Sequence, residues 1–380
     1  MRIAVVGAGM IGSAAARHLA RGGHDTVLIG PGEPPNKMAH RGVFASHYDS
    51  GRITRTLDPD PFWARVSAAS IARYDEIAEQ GERAFFTKSG MLLTGPVRAP
   101  VLRETEAVAL RSGYEFQLCA PGALAVRFPH FRFDVGTQGL FEKHGAGHID
   151  PRSMVAAQIR AAERAGATRA AAIVTGLDER QNGVSVLTED GDVPVDQVLV
   201  AAGGFSNMVL PEPLPIHVLA RTILLAEVTE REAARLDGMP TLIHYMQDGG
   251  DLYLLPPIRY PNGRYYLKMG GDPQDIPLET TADIKAWFRH GGDRQVGAML
   301  DGLLRALMPG VKLGLRTVSA CVTTYTETGR PALQRVSDRI SVATAGCGRG
   351  AKCSDELGRL GAEIALGRGL PDWAVEPADG

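Results

Sequence analysis

A glycine cluster set between two apolar runs leaves the start of this chain few ways to fold. Arg2 to Val6 reads as a buried strand, Gly7-Ala-Gly9-Met10-Ile11-Gly12 as a turn, Ser13 to Arg21 as a small-residue helix closed by Gly22 and Gly23, and Thr26 to Ile29 as the next strand. In that order the GxGxxG pattern has a mechanism: Gly7 makes the tight turn, Gly9 lets a pyrophosphate reach the backbone, and Gly12 lets helix and strand pack. The helix N-terminus then faces the phosphates. One element of the pattern is missing. The second strand ends at Gly30, where an acidic residue is expected for a ribose hydroxyl, and the nearest carboxylate is Glu33.

Composition narrows the partners. A chain of 380 residues, 44% apolar and 22% charged, suits a soluble globule of two to three domains. The 41 basic and 43 acidic residues leave a net charge of −2, so no excess of basic charge exists to hold nucleic acid or an anionic membrane. The uncharged stretch from Ile3 to Ala16 is too short to span a bilayer, and Met1-Arg2 is no signal-peptide n-region. The 4 cysteines form no CxxC pair and have no histidine at ligand spacing, so neither a disulfide framework nor a metal site is expected. A reducing cytoplasm is the expected setting.

Signals of the first unit return far along the chain. Asp150-Pro151 reads as an N-cap and first-turn proline, opening a helix with Val155, Ile159 and Ala162 on one face. Ala171 to Leu177, an Asn182-Gly183 hairpin turn, Val184 to Leu187 and Gln197 to Ala201 read as strands leading into Ala202, Gly203 and Gly204. Arg339 to Thr344 is a last strand, followed by a turn from Ala345 to Ala351 and a helix from Ser354 to Leu366. In that helix Asp355 and Glu356 suit the first-turn dipole, and Leu357, Leu360 and Ile364 form the buried stripe. Alternating, aromatic stretches such as Leu252 to Leu255 and Arg264 to Met269 fall between. The organisation expected is a first unit of 1–85, 150–215 and 315–380, interleaved with a second of 86–149 and 216–314.

The glycine motif, Ser46 to Arg55, Phe86 to Pro96, Tyr266 to Met269, Cys321 to Thr326 and Gly346 to Lys352 together resemble the FAD-dependent amine oxidases of the monomeric sarcosine oxidase and N-methyltryptophan oxidase family, in order and near its spacing. The resemblance implies an α/β fold: a Rossmann-like FAD-binding domain interleaved with a sheet-based α+β substrate domain that roofs the flavin. It also implies a FAD site made from Gly7, Gly9, Met10, Ile11, Gly12, Gly30, Ser46, His47, Arg52, Ala202 and Gly203, completed by Gly346, Gly348, Gly350, Ala351 and Lys352. Cys321 would bond covalently to the flavin 8-methyl carbon, with Cys347 and Cys353 as competitors. The family further suggests a monomer.

The same resemblance assigns roles that spacing alone would not. Arg52 and Arg55, three apart, would ordinarily form a solvated basic face. In the family Arg55 holds the substrate carboxylate, a job suited to a guanidinium fork, with Lys352 as second ligand and Arg52 near the flavin. Lys268 shares a strand face with Tyr266, opposite Leu267 and Met269. There it would stabilise charge developing on molecular oxygen. Tyr253 joins this catalytic set, while Tyr245 and Tyr260 could line the pocket or pack in the core. The expected activity is oxidation of a secondary or primary amine carrying a carboxylate to an imine, with hydrogen peroxide as second product. Departures at His47-Tyr48 and at Glu327 to Pro331 mean that substrate scope does not transfer. A dehydrogenase using another acceptor, a non-catalytic dinucleotide binder and an NAD dehydrogenase are the rival readings.

Overall fold

The computed structural model describes residues 1–375. Arg2–Val6 lies inside a six-stranded sheet, with Gln197–Val200 on one side and Asp25–Ile29 on the other, all parallel. Ile340–Thr344 and Thr168–Ala170 extend it in parallel, and Ala332–Arg335 closes one edge antiparallel. Because a strand alternates its side chains, Ile3 and Val5 enter a core shared with Ala15, Leu19, Val155 and Ala362 of three helices. Ala4 and Val6 enter another shared with Val184 and Val186. Both faces are covered, which accounts for the unbroken apolar run. The second layer is a three-stranded meander, Val174–Arg180, Gly183–Thr188 and Gly191–Val195, so its first strand begins three residues later than Ala171.

A nine-stranded sheet forms the other large body of the molecule. Its long strands Ile216–Val228 and Arg316–Thr326 pair antiparallel over their length, although the two lie far apart in the chain. Tyr265–Gly270 runs between Ile216–Val228 and Asp251–Arg259. One face of this sheet packs Leu224, Leu254, Leu267 and Met269 against Leu300 and Leu304 of helix Arg294–Leu307. The opposite face is turned to the loop from 46 to 60. A small sheet, Arg52–Thr54, Gly147–Ile149 and Phe86–Thr87, ties that loop down. No helix among the described residues is long and apolar enough to cross a membrane.

Two helix starts differ from the sequence reading. The first helix is Met10–Arg21 with Gly9 as N-cap, so the glycine motif itself forms the first turn. The last is Gly350–Ala365, which removes Asp355 and Glu356 from the first turn and with it their expected dipole role. Glycines before Ser354 gave no side-chain signal for a start. Asp355 is instead fully buried and accepts from Arg17 at 2.9 Å and Gln158 at 2.9 Å, with Arg73 and His18 also in contact. The carboxylate thus joins three helices and the turn at Arg73. The expected cap at Asp150 is present, accepting from the backbone of Arg152 and Ser153.

Burial alone would push the Asp355 carboxyl up, but His18, Arg17 and Arg73 hold it well below the usual carboxylate range. A depressed carboxylate adds stability above its unfolded value of about 3.9, and loses it as pH falls below that value towards the folded one. Asp355→Asn should therefore cost about 3–5 kcal/mol at neutral pH and flatten the acid limb of stability. Denaturant melts across pH measure both. A loss under about 1 kcal/mol would show the network to be dispensable.

Candidate functional site

The glycine turn opens one wall of a long cleft. A Cβ on Gly7 would stand 2.4 Å from the Ala201 carbonyl oxygen, and one on Gly12 only 1.8 Å from that of Gly7. Gly7 also has φ of +113°, a conformation L residues rarely adopt. These two glycines are therefore packing requirements of the fold. Gly9 differs, since the nearest atom to its Cβ would be His47 Nδ1 at 3.9 Å. Its backbone faces open space at the start of a helix, where unpaired N–H groups suit a phosphate.

The cleft runs from this turn past Gly30 to Ala202 and Gly203, and on to Ser46, His47, Arg52 and Cys321. Met10, Ile11, Gly346, Gly348, Gly350 and Ala351 line it as well. Of the residues expected around the cofactor, Gly12 and Lys352 stand outside the lining: Gly12 supports the turn from behind, and Lys352 points elsewhere. Burial pushes the His47 imidazole down to about 4, so it is neutral near pH 7. Cys321 is half-buried and lines the cleft, with Arg52 Nη2 3.3 Å from its sulfur. Cys119, Cys347 and Cys353 are buried and do not line it.

Glu33 does not stand free beside Gly30. It takes both arms of Arg152, at 2.6 and 2.7 Å, and Lys37 at 3.1 Å. An FAD molecule nonetheless fits the residue set: the glycine turn leaves a backbone cradle at Gly9, and the cleft continues to a thiol beside a guanidinium.

Two buried carboxylates organise the cations beside the cleft, and the motif reading named neither. Lys268, on a central strand and fully buried, places Nζ 2.5 Å from Asp49 Oδ2 and 2.6 Å from the Gly51 carbonyl. Arg52 binds the same oxygen, and the Tyr260 hydroxyl donates to Oδ1 at 2.8 Å. Burial and then the Arg52 charge push the Lys268 ammonium well below its ordinary value. Tyr253 lies nearby, its ring centroid 5.7 Å from Lys268 Nζ and against the backbone of Gly270.

Asp58 is the second, also fully buried. Lys352 Nζ and Arg349 Nε each reach its Oδ2 at 3.0 Å, and Arg55 Nη1 stands 3.3 Å away. Arg55 and Lys352, some 300 residues apart in the chain, thus meet at one carboxylate. Burial alone would raise the Asp58 carboxyl, but Lys352, Arg55 and Arg349 hold it below the usual carboxylate range. Lys352 is pushed down by burial, with Asp58 opposing and Arg55 adding to the fall. Arg55 Nη1 is buried without a hydrogen-bond partner among the described residues. A guanidinium of this kind is ready to donate to an incoming anion. The signals for both carboxylates were local: Asp49 sits inside the Ser46 to Arg55 motif, and Asp58 stands three residues after Arg55.

The contrast among the glycines gives a test. Gly9→Val should yield folded but colourless protein, since its side chain fills the cleft rather than the core. Gly12→Val should fail to fold, because no neighbour can move 1.8 Å of backbone away. Absorbance at the flavin bands and thermal melting distinguish them. Full flavin content in folded Gly9→Val would remove the argument for the cradle.

Known proteins resemble this chain over most of its length. N-methyl-L-tryptophan oxidase of Citrobacter koseri is 22% identical over 367 residues, covering 96% of this chain and 94% of that protein. Among solved structures, the open form of NikD, an unusual amino acid oxidase essential for nikkomycin biosynthesis, superposes with a TM-score of 0.77 at 22% identity, over 96% of this chain and 93% of that one. L-proline dehydrogenase from P. horikoshii gives 0.75 at 17% identity, covering 97% and 94%. The family model for DAO, FAD dependent oxidoreductase, matches residues 2–364. With its dinucleotide cleft and interleaved sheets, this chain belongs to that family of FAD-dependent oxidoreductases.

Proposed function

We propose that this protein oxidises a secondary or primary amine carrying a carboxylate, an N-substituted amino acid or imino acid, to an imine with release of hydrogen peroxide. The observation that carries the reading is the meeting of Arg55 and Lys352 beside a cleft that suits FAD, with Arg55 Nη1 lacking a hydrogen-bond partner among the described residues. The activities named for N-methyl-L-tryptophan oxidase and NikD support it. The proposal includes the division into an FAD-binding unit of 1–85, 150–215 and 315–380 and a substrate unit of 86–149 and 216–314, with the strand Arg316–Thr326 crossing from the first to pair with Ile216–Val228 in the sheet of the second. It extends to a cytoplasmic monomer.

In this reading the turn at Gly7, Gly9 and Gly12 would hold the pyrophosphate, and Cys321, which lines the cleft, would be the point of covalent attachment to the ring. Bound FAD supplies the electron-accepting chemistry for the amine and its return to oxygen. Arg55 and Lys352 clamp the carboxylate, so the reacting C–H is delivered in one orientation. The half-buried Tyr253 and the apolar walls exclude water from it. The substrate amine must be neutral, and water then hydrolyses the imine. Lys268 places a fixed positive charge where oxygen gains electrons, and the low-dielectric surroundings strengthen its effect.

A second reading has an observation behind it. Lys268 shares its charge with Asp49 at 2.5 Å, and a compensated cation is a weaker stabiliser of developing negative charge. A dehydrogenase that passes electrons to a non-oxygen acceptor suits that pairing, and L-proline dehydrogenase shares the fold. Peroxide formed per substrate consumed, across N-methyl amino acids, cyclic imino acids and D-amino acids, decides between them.

Two further outcomes are expected. Acid precipitation should leave the colour in the pellet, and a flavin-bearing peptide spanning Cys321 should appear by mass spectrometry; colour in the supernatant, or attachment at Cys347, would refute the tether. Lys268→Met should slow reoxidation of the reduced protein by oxygen roughly 10²- to 10³-fold while sparing anaerobic reduction by substrate. Stopped-flow separates the half-reactions. Reoxidation at the wild-type rate would move the dehydrogenase reading ahead.

A further inference from the structure

The carboxylate of Asp58 has no place in the chemistry just described, yet it occupies the centre of the basic group. Three cations, Lys352, Arg349 and Arg55, converge on its one oxygen Oδ2, while Oδ1 accepts only the Asp60 N–H at 3.3 Å. Lys352 has a second partner, donating to Ser67 Oγ at 2.7 Å. The Arg55 contact lacks hydrogen-bond alignment, so that guanidinium is attracted but uncommitted.

We infer that Asp58 is a positioning residue that serves as a built-in counter-anion: it keeps Lys352 charged and holds Arg55 and Lys352 aimed at one point, and an incoming carboxylate competes with it for them. The inference rests on the reading of Arg55 and Lys352 as the carboxylate clamp. Its two effects oppose one another. Competition weakens ligand binding wherever Lys352 is charged, whereas the counter-charge keeps Lys352 protonated to higher pH. The other groups in the field are Cys353 beside Lys352, Glu142 and Tyr245 near Arg55, and Asp60 near Arg349, which also pairs with Arg330. None of these takes Lys352 as a direct partner, so Asp58 dominates its charge balance.

The test titrates the flavin-loaded protein with propionate and with neutral propionamide, following flavin absorbance and heat of binding from acid to alkaline pH. Wild type should prefer propionate, with affinity falling on an alkaline limb as Lys352 loses its proton. Asp58→Asn should bind propionate several-fold more tightly below neutrality, and its alkaline limb should move down by about one pH unit or more. The two affinity curves then cross, which a merely structural defect would not produce. Arg349→Gln, which removes a competing cation, should move the limb up, and this variant decides the matter if Asp58→Asn does not accumulate as folded yellow protein. Unmoved limbs in the variants, with wild type still preferring propionate, overturn the role of Asp58 alone. A wild type that binds propionate and propionamide equally overturns the carboxylate clamp and the inference with it.

Discussion

A fully buried ammonium cannot persist without an anion, and Lys268 finds its anion in Asp49. This contact joins the central strand of the large sheet to a loop that contains little regular structure of its own. The same carboxylate takes Arg52, which reaches the Cys321 sulfur, and the hydroxyl of Tyr260. One buried charge pair thereby fixes the position of the loop, the guanidinium and the thiol on the side of the cleft that faces the sheet. Removing Asp49 would leave the Lys268 ammonium uncompensated in the interior, whereas Asp49 without Lys268 would still hold Arg52.

Asp58 repeats the device a few residues later, on the side of the last helix. The two carboxylates lie on either side of the strand Arg52–Thr54, and each gathers cations supplied by remote parts of the chain. The difference between them is functional. Asp49 has all its capacity taken by Lys268, Arg52, Tyr260 and its own neighbour Ser50, which suits a fixed scaffold. Asp58 is outnumbered by its cations and leaves an Arg55 nitrogen without a hydrogen-bond partner among the described residues, which suits a site that accepts a further anion.

The parts of this arrangement that are local in sequence were legible there. The strand, glycine turn, helix and strand from Arg2 to Ile29 announce themselves by spacing, and the Asp150-Pro151 cap by residue type. The alternation that sends Lys268 away from Leu267 and Met269 also follows from strand period alone. Asp49 and Asp58 stand beside the arginines of the motif, but which lysine each would take could not be read, since Lys268 and Asp49 are 219 residues apart, and Lys352 and Asp58 are 294 apart. Pairing at that distance is decided by topology. The error over Asp355 has the same origin: an acidic residue near a helix start resembles a dipole partner until the helix is known to begin at Gly350. Arg17, which satisfies it, lies 338 residues away.

The account holds that a cleft for FAD and a carboxylate clamp adjoin each other through these buried charges. A crystal structure of the yellow protein with a bound small carboxylate examines this most directly. It should show the flavin ring beside Cys321, the carboxylate in contact with both Arg55 and Lys352, and the Lys268 to Asp49 pair intact. A carboxylate lodged away from Arg55 and Lys352, or a flavin ring remote from Cys321, would contradict it.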